Sequence, residues 1–479
     1  MPEKGPNDAR RLFAGWENGI VWLLILLFTW VTLRFALKNS DFIGDDYDHF
    51  QLVGSMPLLQ YLFTPIDVHF VPLHRLFSWL LLEIAPLDFS LAVAVLTVFQ
   101  LASTVMLALL LQRLRPGPWN RALIVLFACN GVLLPLLAWW SAGIHRLPYI
   151  FLSISCLYFY LGYRQQRRWS DLLGCWGCAI LAFGFYGKAV LIPVYVLALE
   201  FCLSWRLGFA ALRRYALGMA MLLAVGVYVG WYLLYAPVLR LDGPSSISTA
   251  IQIALAFMRI LGGLLVLQQP GAWSLGTALI VAGWGVAILG TCLWRRENLV
   301  YWLALLGLVG LNFLMISGSS RGQLFGDLLA LSPRYYFEVI FLVVIFLCLI
   351  LNPTDASQRC AEGRGTRGLG VLTVCLPVLY APLAYQAEKV QFSDYGRPHK
   401  QTHRYMQHVW DDLDDLPSGQ PLRVAEGNLP LYVYGEWLHI FKPFAAVLPL
   451  RHPNLEFVRR DLAQYEIGDD GRVRPLPTP

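Results

Sequence analysis

Three aspartates crowd into the stretch Gly44-Asp45-Asp46-Tyr47-Asp48-His49, directly behind the first long apolar segment at residues 15–37. Ionisable side chains at the mouth of a membrane span are costly unless they face water, pair with a partner or take part in chemistry. Adjacent carboxylates repel each other, so Asp45 and Asp46 suit either a proton acceptor with a partner or coordination of a divalent cation. Asp48 serves equally well as a helix cap. Other residues able to do chemistry recur at segment ends: His69 to Arg75, Trp139-Trp140 with His145-Arg146, Tyr186 and Lys188, Arg240, Arg321, and Arg334-Tyr335-Tyr336.

The elements that must position these residues are membrane spans. With 57% hydrophobic and 14% charged residues, and a mean hydropathy of +0.54, the 479-residue chain reads as polytopic rather than soluble. The segment at 15–37 is too long for a signal-peptide core and is expected to remain as a span. Arginine clusters at 113/115/121, 164/167/168, 206/213/214, 295/296 and 359/364/367 mark cytoplasmic loops. With Lys4, Arg10 and Arg11 inside, about eleven spans follow, near 16–37, 88–112, 121–138, 147–163, 170–185, 188–205, 216–235, 272–294, 299–317, 335–351 and 369–386. Counting 250–267 as a span would invert the arginine loops, so that stretch is predicted to lie on or dip into the outer surface.

By this parity the nine histidines all fall on the outer face. The first outer loop, 38–87, is expected to hold two juxtamembrane helices, one of them near 76–86. Beyond residue 386 the composition turns polar. A helix is expected over 399–416 and strand-like runs over 422–426, 429–433 and 445–450, with a turn at Asp469-Asp470-Gly471-Arg472. The division is therefore 1–386, a transmembrane catalytic domain, and 387–479, a small α/β domain on the periplasmic or extracellular side.

Several residues have plainer readings. Lys188 and Arg146 suit snorkelling cations at helix ends, and Trp139-Trp140 an interfacial aromatic belt. His399, His403 and His408 have helical spacing, but without a carboxylate on that face they read as a solvated surface, as do Asp411, Asp412, Asp414 and Asp415. Cys175 and Cys178 sit in an apolar run without nearby histidines and read as structural. The net charge of +6 is what span orientation requires and does not indicate nucleic acid.

This layout resembles the C-type (GT-C) membrane glycosyltransferases, which use lipid-phosphate sugar donors at the outer membrane face. The likeness rests on Asp45-Asp46 just beyond the first span, the juxtamembrane helices, the His69 to Arg75 stretch, Arg334-Tyr335 before a late span, and the outer C-terminal domain. It implies transfer of a sugar from a polyprenyl phosphate to an acceptor hydroxyl, with inversion, and Asp45 or else Asp46 as general base. Arg334, Lys188, Arg146 and Arg321 would stabilise the leaving phosphate, with Tyr335 and His145 as hydrogen-bond donors. His49 and His69 would orient the acceptor or the base. No cofactor is required on this reading, although a divalent ion at Asp45/Asp46 stays open. The expected partners are the lipid-linked donor, a glycan, lipid or protein acceptor such as a pilin, and membrane lipids; the expected location is the bacterial inner membrane. Asp-Asp-Tyr lacks the spaced Asp-x-Asp of some relatives, and Trp139-Trp140 is followed by Ser141, which argues against en bloc oligosaccharide transfer. The rival class is a transporter or lipid-linked-sugar flippase, which predicts mid-membrane charges and broken helices in matched halves.

Overall fold

A computed structural model describes residues 16–65, 70–235, 247–261, 275–319, 322, 325–332, 334–352, 366–417, 421–434 and 442–477. The chain begins with α1 (Trp16–Asn39), followed by a loop carrying α2 (Asp45–Val53), α3 (Leu58–Phe63) and α4 (Pro72–Ile84). The long helix α5 (Phe89–Leu114) comes next, then α6 (Asn120–Ala128) and the single turn α7 (Leu134–Leu137), then α8 (Trp140–Gln166) and α9 (Trp169–Phe185). A 3₁₀ turn at Gly187–Leu191 leads into α10 (Ile192–Ser204) and then α11 (Ala216–Tyr235), α12 (Ile247–Leu261), α13 (Leu275–Trp294), α14 (Asn298–Ser317), α15 (Arg334–Leu351) and α16 (Thr366–Tyr395).

Among the described residues, seven stretches are long and apolar enough to cross a bilayer: 17–39, 89–114, 140–166, 187–208, 298–317, 334–351 and 370–390. Three more expected spans are the shorter apolar helices 169–185, 216–232 and 278–294. The remaining one, at 121–138, is not continuous. Asn130 ends α6 by folding its side chain onto the backbone, its Oδ1 accepting from Val132 N at 3.1 Å while its Nδ2 donates to Tyr380 Oη at 3.2 Å. Asparagine offers the backbone a local partner in place of the helical one, and Gly131 and Pro135 do nothing to restore it. The protein is thus a polytopic helical membrane protein. Leucines such as Leu23, Leu223 and Leu293 leave most of their surface on the outside of the bundle, as lipid-facing positions do. The stretch predicted to lie at the surface is α12, whose Ile253 and Phe257 are buried and whose Phe257 ring packs on Phe313 and Tyr336.

The centre of the bundle is α8, buried along nearly its whole length and packed against α5 and α9. Polar clamps join its neighbours. Glu388 of α16 accepts from Thr32 of α1 at 3.0 Å and from the Leu134 amide of α7 at 3.2 Å. Arg115, at the end of α5, donates to the carbonyls of Leu349 and Asn352, satisfying the open C-terminus of α15, and to Tyr301 Oη of α14.

After α16 the chain forms α17 (Arg397–Asp414), then a four-stranded sheet of β1 (Leu422–Ala425), β2 (Leu455–Val458), β3 (Tyr465–Ile467) and β4 (Val473–Pro475) in the order β2-β1-β3-β4. β1 is parallel to both β2 and β3, and β3 is antiparallel to β4. The turn expected at 469–472 closes the last hairpin, with Gly471 at φ 78°. Two expected strands are absent: 429–433 gives way to the turn α18 (Leu431–Tyr434), and 445–450 to α19 (Phe444–Val447) with a 3₁₀ turn. Pro430, Pro443 and Pro449 deny these short runs a ladder donor, and proline at a first helical position favours the turn instead.

Candidate active site

Gly44 sets the geometry. Its φ of 62° and ψ of −124° turn the chain out of the loop after α1 and into α2, a conformation that strains any residue with a Cβ. Its amide donates to the Val433 carbonyl of α18 at 3.0 Å, and a Cβ on Gly44 would lie 3.1 Å from the Tyr434 carbonyl oxygen. The first turn of α2 then presents Asp45, Asp46 and Asp48, where the amide end of the helix favours negative charge.

The three carboxylates have separate tasks. Asp46 is fully buried, its Oδ1 accepting from the Ser141 amide at 2.7 Å and its Oδ2 from the Ile43 amide at 3.1 Å. It caps the N-terminus of α8 and closes the turn before α2. Burial, and then the neighbouring Asp45 charge, push its pKa well above the ordinary carboxylate range. Asp48 faces the C-terminal segment, accepting from Tyr434 Oη and pairing with Lys442 at 2.6 Å. Asp45 is partly exposed, and its Oδ1 accepts from Trp139 Nε1 at 2.8 Å.

Trp139 links this carboxylate to a group of cations. The Arg334 guanidinium stacks over its ring at 4.4 Å and also lies 5.2 Å from the Tyr335 ring. Arg146 also approaches the Tyr335 ring, at 5.1 Å, and the Tyr186 ring at 5.2 Å. Arg146 Nε is 3.7 Å from Glu338 Oε2, within ion-pair range but too long for a hydrogen bond, while Lys188 Nζ hydrogen-bonds the other oxygen, Oε1. Next to Arg146, His145 Nε2 lies 3.0 Å from His74 Nδ1, and the His49 ring packs on His74 with 4.3 Å between centroids.

The structure therefore brings together Asp45, Arg334, Tyr335, Arg146, Lys188, His145 and His49, with Asp46 as the buried support behind Asp45. Arg321 and His69 lie outside the described residues. Sequence reasoning missed Glu338, although it is the one acidic residue in the apolar run 335–351 and that isolation was a signal. It also missed Trp139 as the donor to Asp45. His399, expected on a solvated surface, is instead 3% exposed between Trp139 and Phe392, and burial followed by the Arg334 charge pushes its pKa down to about 4. His408 also has a partner, the Asp470 carbonyl at 2.8 Å. Both Asp46 oxygens and Asp45 Oδ1 each accept an N–H group. No cluster of three or more His, Cys, Asp or Glu suited to a metal occurs among the described residues.

No protein-family model matches the chain, and no curated protein matches it. Among solved structures, the crystal structure of ArnT from Cupriavidus metallidurans bound to undecaprenyl phosphate is similar over 91% of this chain and 86% of that one, with a TM-score of 0.50 and 12% sequence identity. The chain shares the overall fold of that protein. At this identity the likeness is one of fold, and the roles of residues rest on the geometry above.

Proposed function

We propose that this protein transfers a sugar from a polyprenyl-phosphate donor to an acceptor hydroxyl, with Asp45 as general base and inversion at the anomeric carbon. The observation that carries this reading is the continuous path from the Asp45 carboxylate through Trp139 to Arg334, Tyr335 and Arg146. A proton acceptor stands at one end of the path and cations for a departing phosphate at the other.

In the proposed step, the acceptor hydroxyl gives its proton to Asp45 as its oxygen attacks the anomeric carbon. The bond from that carbon to the phosphate oxygen breaks, and the electron pair leaves with the polyprenyl phosphate. Trp139 orients the base. Arg334 and Arg146 meet the growing phosphate charge, where a preorganised cation acts most strongly. Lys188 shares Glu338 with Arg146, so it acts mainly by holding that carboxylate and setting how much of the Arg146 charge is available.

An apolar groove of about 440 Å³ is lined by Phe70, Pro72, Leu73, Phe183, Pro193 and Tyr228, with Leu73 preceding His74 in α4. It offers an isoprenoid tail a path to the histidine side of the cluster. The aspartates and the arginine loop at 164–168 lie at opposite ends of α8, a 27-residue helix about 40 Å long. With the arginines cytoplasmic, chemistry falls at the outer face of what we take to be a bacterial inner membrane, and residues 387–479 form an outer-side domain. Incubating the purified, lipid-reconstituted protein with labelled polyprenyl-phosphate sugars and membrane extract as acceptor tests the reading. Release of polyprenyl phosphate with label moved to the acceptor is expected; intact donor across the panel would favour transport instead.

A further inference from the structure

At the end of α8 remote from the aspartates, four arginines converge on a cavity that the transfer chemistry does not use. Arg164 and Arg167 come from the end of α8, Arg213 and Arg214 from the 3₁₀ segment Trp205–Arg214 that leads into α11. With Tyr163 and Trp176 they line a volume of about 460 Å³. Span orientation accounts for arginines at this end of the helices. It does not account for two loops, far apart in the chain, that turn theirs into one cavity.

One of the four is neutralised. Arg164 pairs with the buried Glu200 at 2.7 Å, and that carboxylate also accepts from Tyr160 and Ser204. Arg167, Arg213 and Arg214 form no ion pair among the described residues: Arg167 lies 5.2 Å from the centre of the Tyr163 ring, and Arg214 reaches Ser204 Oγ at 3.4 Å. The wall is cationic, and guanidinium forks match phosphate oxygens. An apolar path adjoins it, because Trp176 also lines the groove of Phe70 and Leu73. Along α9 the lining passes through Leu172, Trp176, Ala179 and Phe183, and along α11 through Leu217, Met221, Ala224 and Tyr228. Steps of three and four residues keep to one face of each helix. Each stripe is about 16 Å long, the depth of one leaflet of a hydrocarbon core ~30 Å thick. Leu173, Leu212 and Leu223 are exposed beside this seam, as lipid-facing positions are.

We propose that this seam binds an anionic phospholipid, with its phosphate on Arg167, Arg213 and Arg214 and one acyl chain between α9 and α11. Basic pockets between membrane helices hold anionic headgroups in this way. With the arginine loops cytoplasmic, the lipid is one of the inner leaflet. It shares the groove with an isoprenoid tail entering from the His74 end, and that consequence alone rests on the transferase reading.

The test is native mass spectrometry of the full chain, released from detergent and titrated with phosphatidylglycerol, with phosphatidylcholine of the same acyl chains, and with chain-free glycerol phosphate. Phosphatidylglycerol is expected to bind in preference to both. Arg167→Gln and Arg213→Gln should each weaken it about fivefold. Ala224→Trp, which fills the exposed wall of the groove, should weaken it as well. Arg296 is exposed at the same end, next to the Glu297 that pairs with Arg206, but lies outside the cavity, so Arg296→Gln should leave binding unchanged. Equal binding of the two lipids would overturn the proposal, and so would an equal loss from Arg296→Gln, which would reduce the effect to general surface charge. Glycerol phosphate binding as tightly as the lipid would replace the lipid with a soluble phosphate. No sugar donor is present, so failure here leaves the transferase reading standing, and failure of donor turnover leaves this site standing.

Discussion

At the scale of single residues, adjacent carboxylates of one sequence motif have opposite fates, and the difference is one of placement. Asp46 is consumed by two backbone amides, so Asp46→Ala leaves both buried donors without an acceptor, at a cost of roughly 1–3 kcal/mol each. A clear fall in the thermal unfolding midpoint of the purified variant is expected, whereas Asp46→Asn, which keeps an acceptor oxygen, should fall less. Glu338→Gln removes the only charge that Arg146 and Lys188 share in their described ion pairs, and breaking such a buried arrangement costs about 3–5 kcal/mol. A variant as stable as native would show that the two cations are balanced by something else. The motif's importance was legible because charges beside a span demand a reason. Its division of labour was not, because that depends on Ser141, far away in the chain, and on Trp139, whose indole N–H cannot be told from an interfacial anchor by sequence alone.

At the scale of elements, the site is a junction of helix ends: the starts of α2 and α8, and the start of α15, where Arg334 and Tyr335 lie. Gly44 is the hinge of that junction. Gly44→Ala is expected to weaken transfer and lower the unfolding midpoint, because alanine is strained at a φ of 62° and its Cβ would press on the Tyr434 carbonyl oxygen. Transfer kinetics and a melting curve that match the native protein would contradict this account of the turn. Long apolar helices were legible from length and composition, since a bilayer leaves few alternatives. The interruption at Asn130 was not, because its hydrophobic flanks match those of a span and the side chain that ends the helix finds a partner on α16. The strand-like runs at 429–433 and 445–450 failed for a related reason: short apolar runs do not distinguish a strand from a single helical turn, and the prolines decide.

At the scale of the whole molecule, the first loop is locked between the bundle and the C-terminal segment, and its buried acids link stability to pH. Asp41 accepts from the Phe42 amide at 2.7 Å, and burial raises its pKa to about 7. The folded state therefore holds a proton that the unfolded chain gives up near pH 4. Its stability contribution is full below that value, is lost as pH rises towards 7, and Asp46 acts in the same direction. Asp41→Asn keeps the acceptor for Phe42 and removes the ionisation. Its unfolding midpoint should exceed the native one at pH 8, by at most roughly 4 kcal/mol in stability, and converge with it near pH 4. A difference independent of pH would count against that linkage. The polytopic architecture and the order of its spans were readable from the arginine loops, and the GT-C resemblance came from how the charged patches were distributed along the chain. The parallel pairing of β1 with β2 and β3 was not readable, because strands of three or four residues carry little periodic signal.

The central claim is that Asp45, and not its neighbour, takes the acceptor proton. The most direct measurement is single-turnover sugar transfer from a labelled polyprenyl-phosphate donor by reconstituted native, Asp45→Asn and Asp46→Asn proteins, each shown to be folded by its melting curve. The account predicts that Asp45→Asn keeps the native fold and donor binding while transfer slows by about 10²–10⁴-fold, and that Asp46→Asn retains most of the rate per folded molecule. Native-like transfer by a folded Asp45→Asn protein would contradict it.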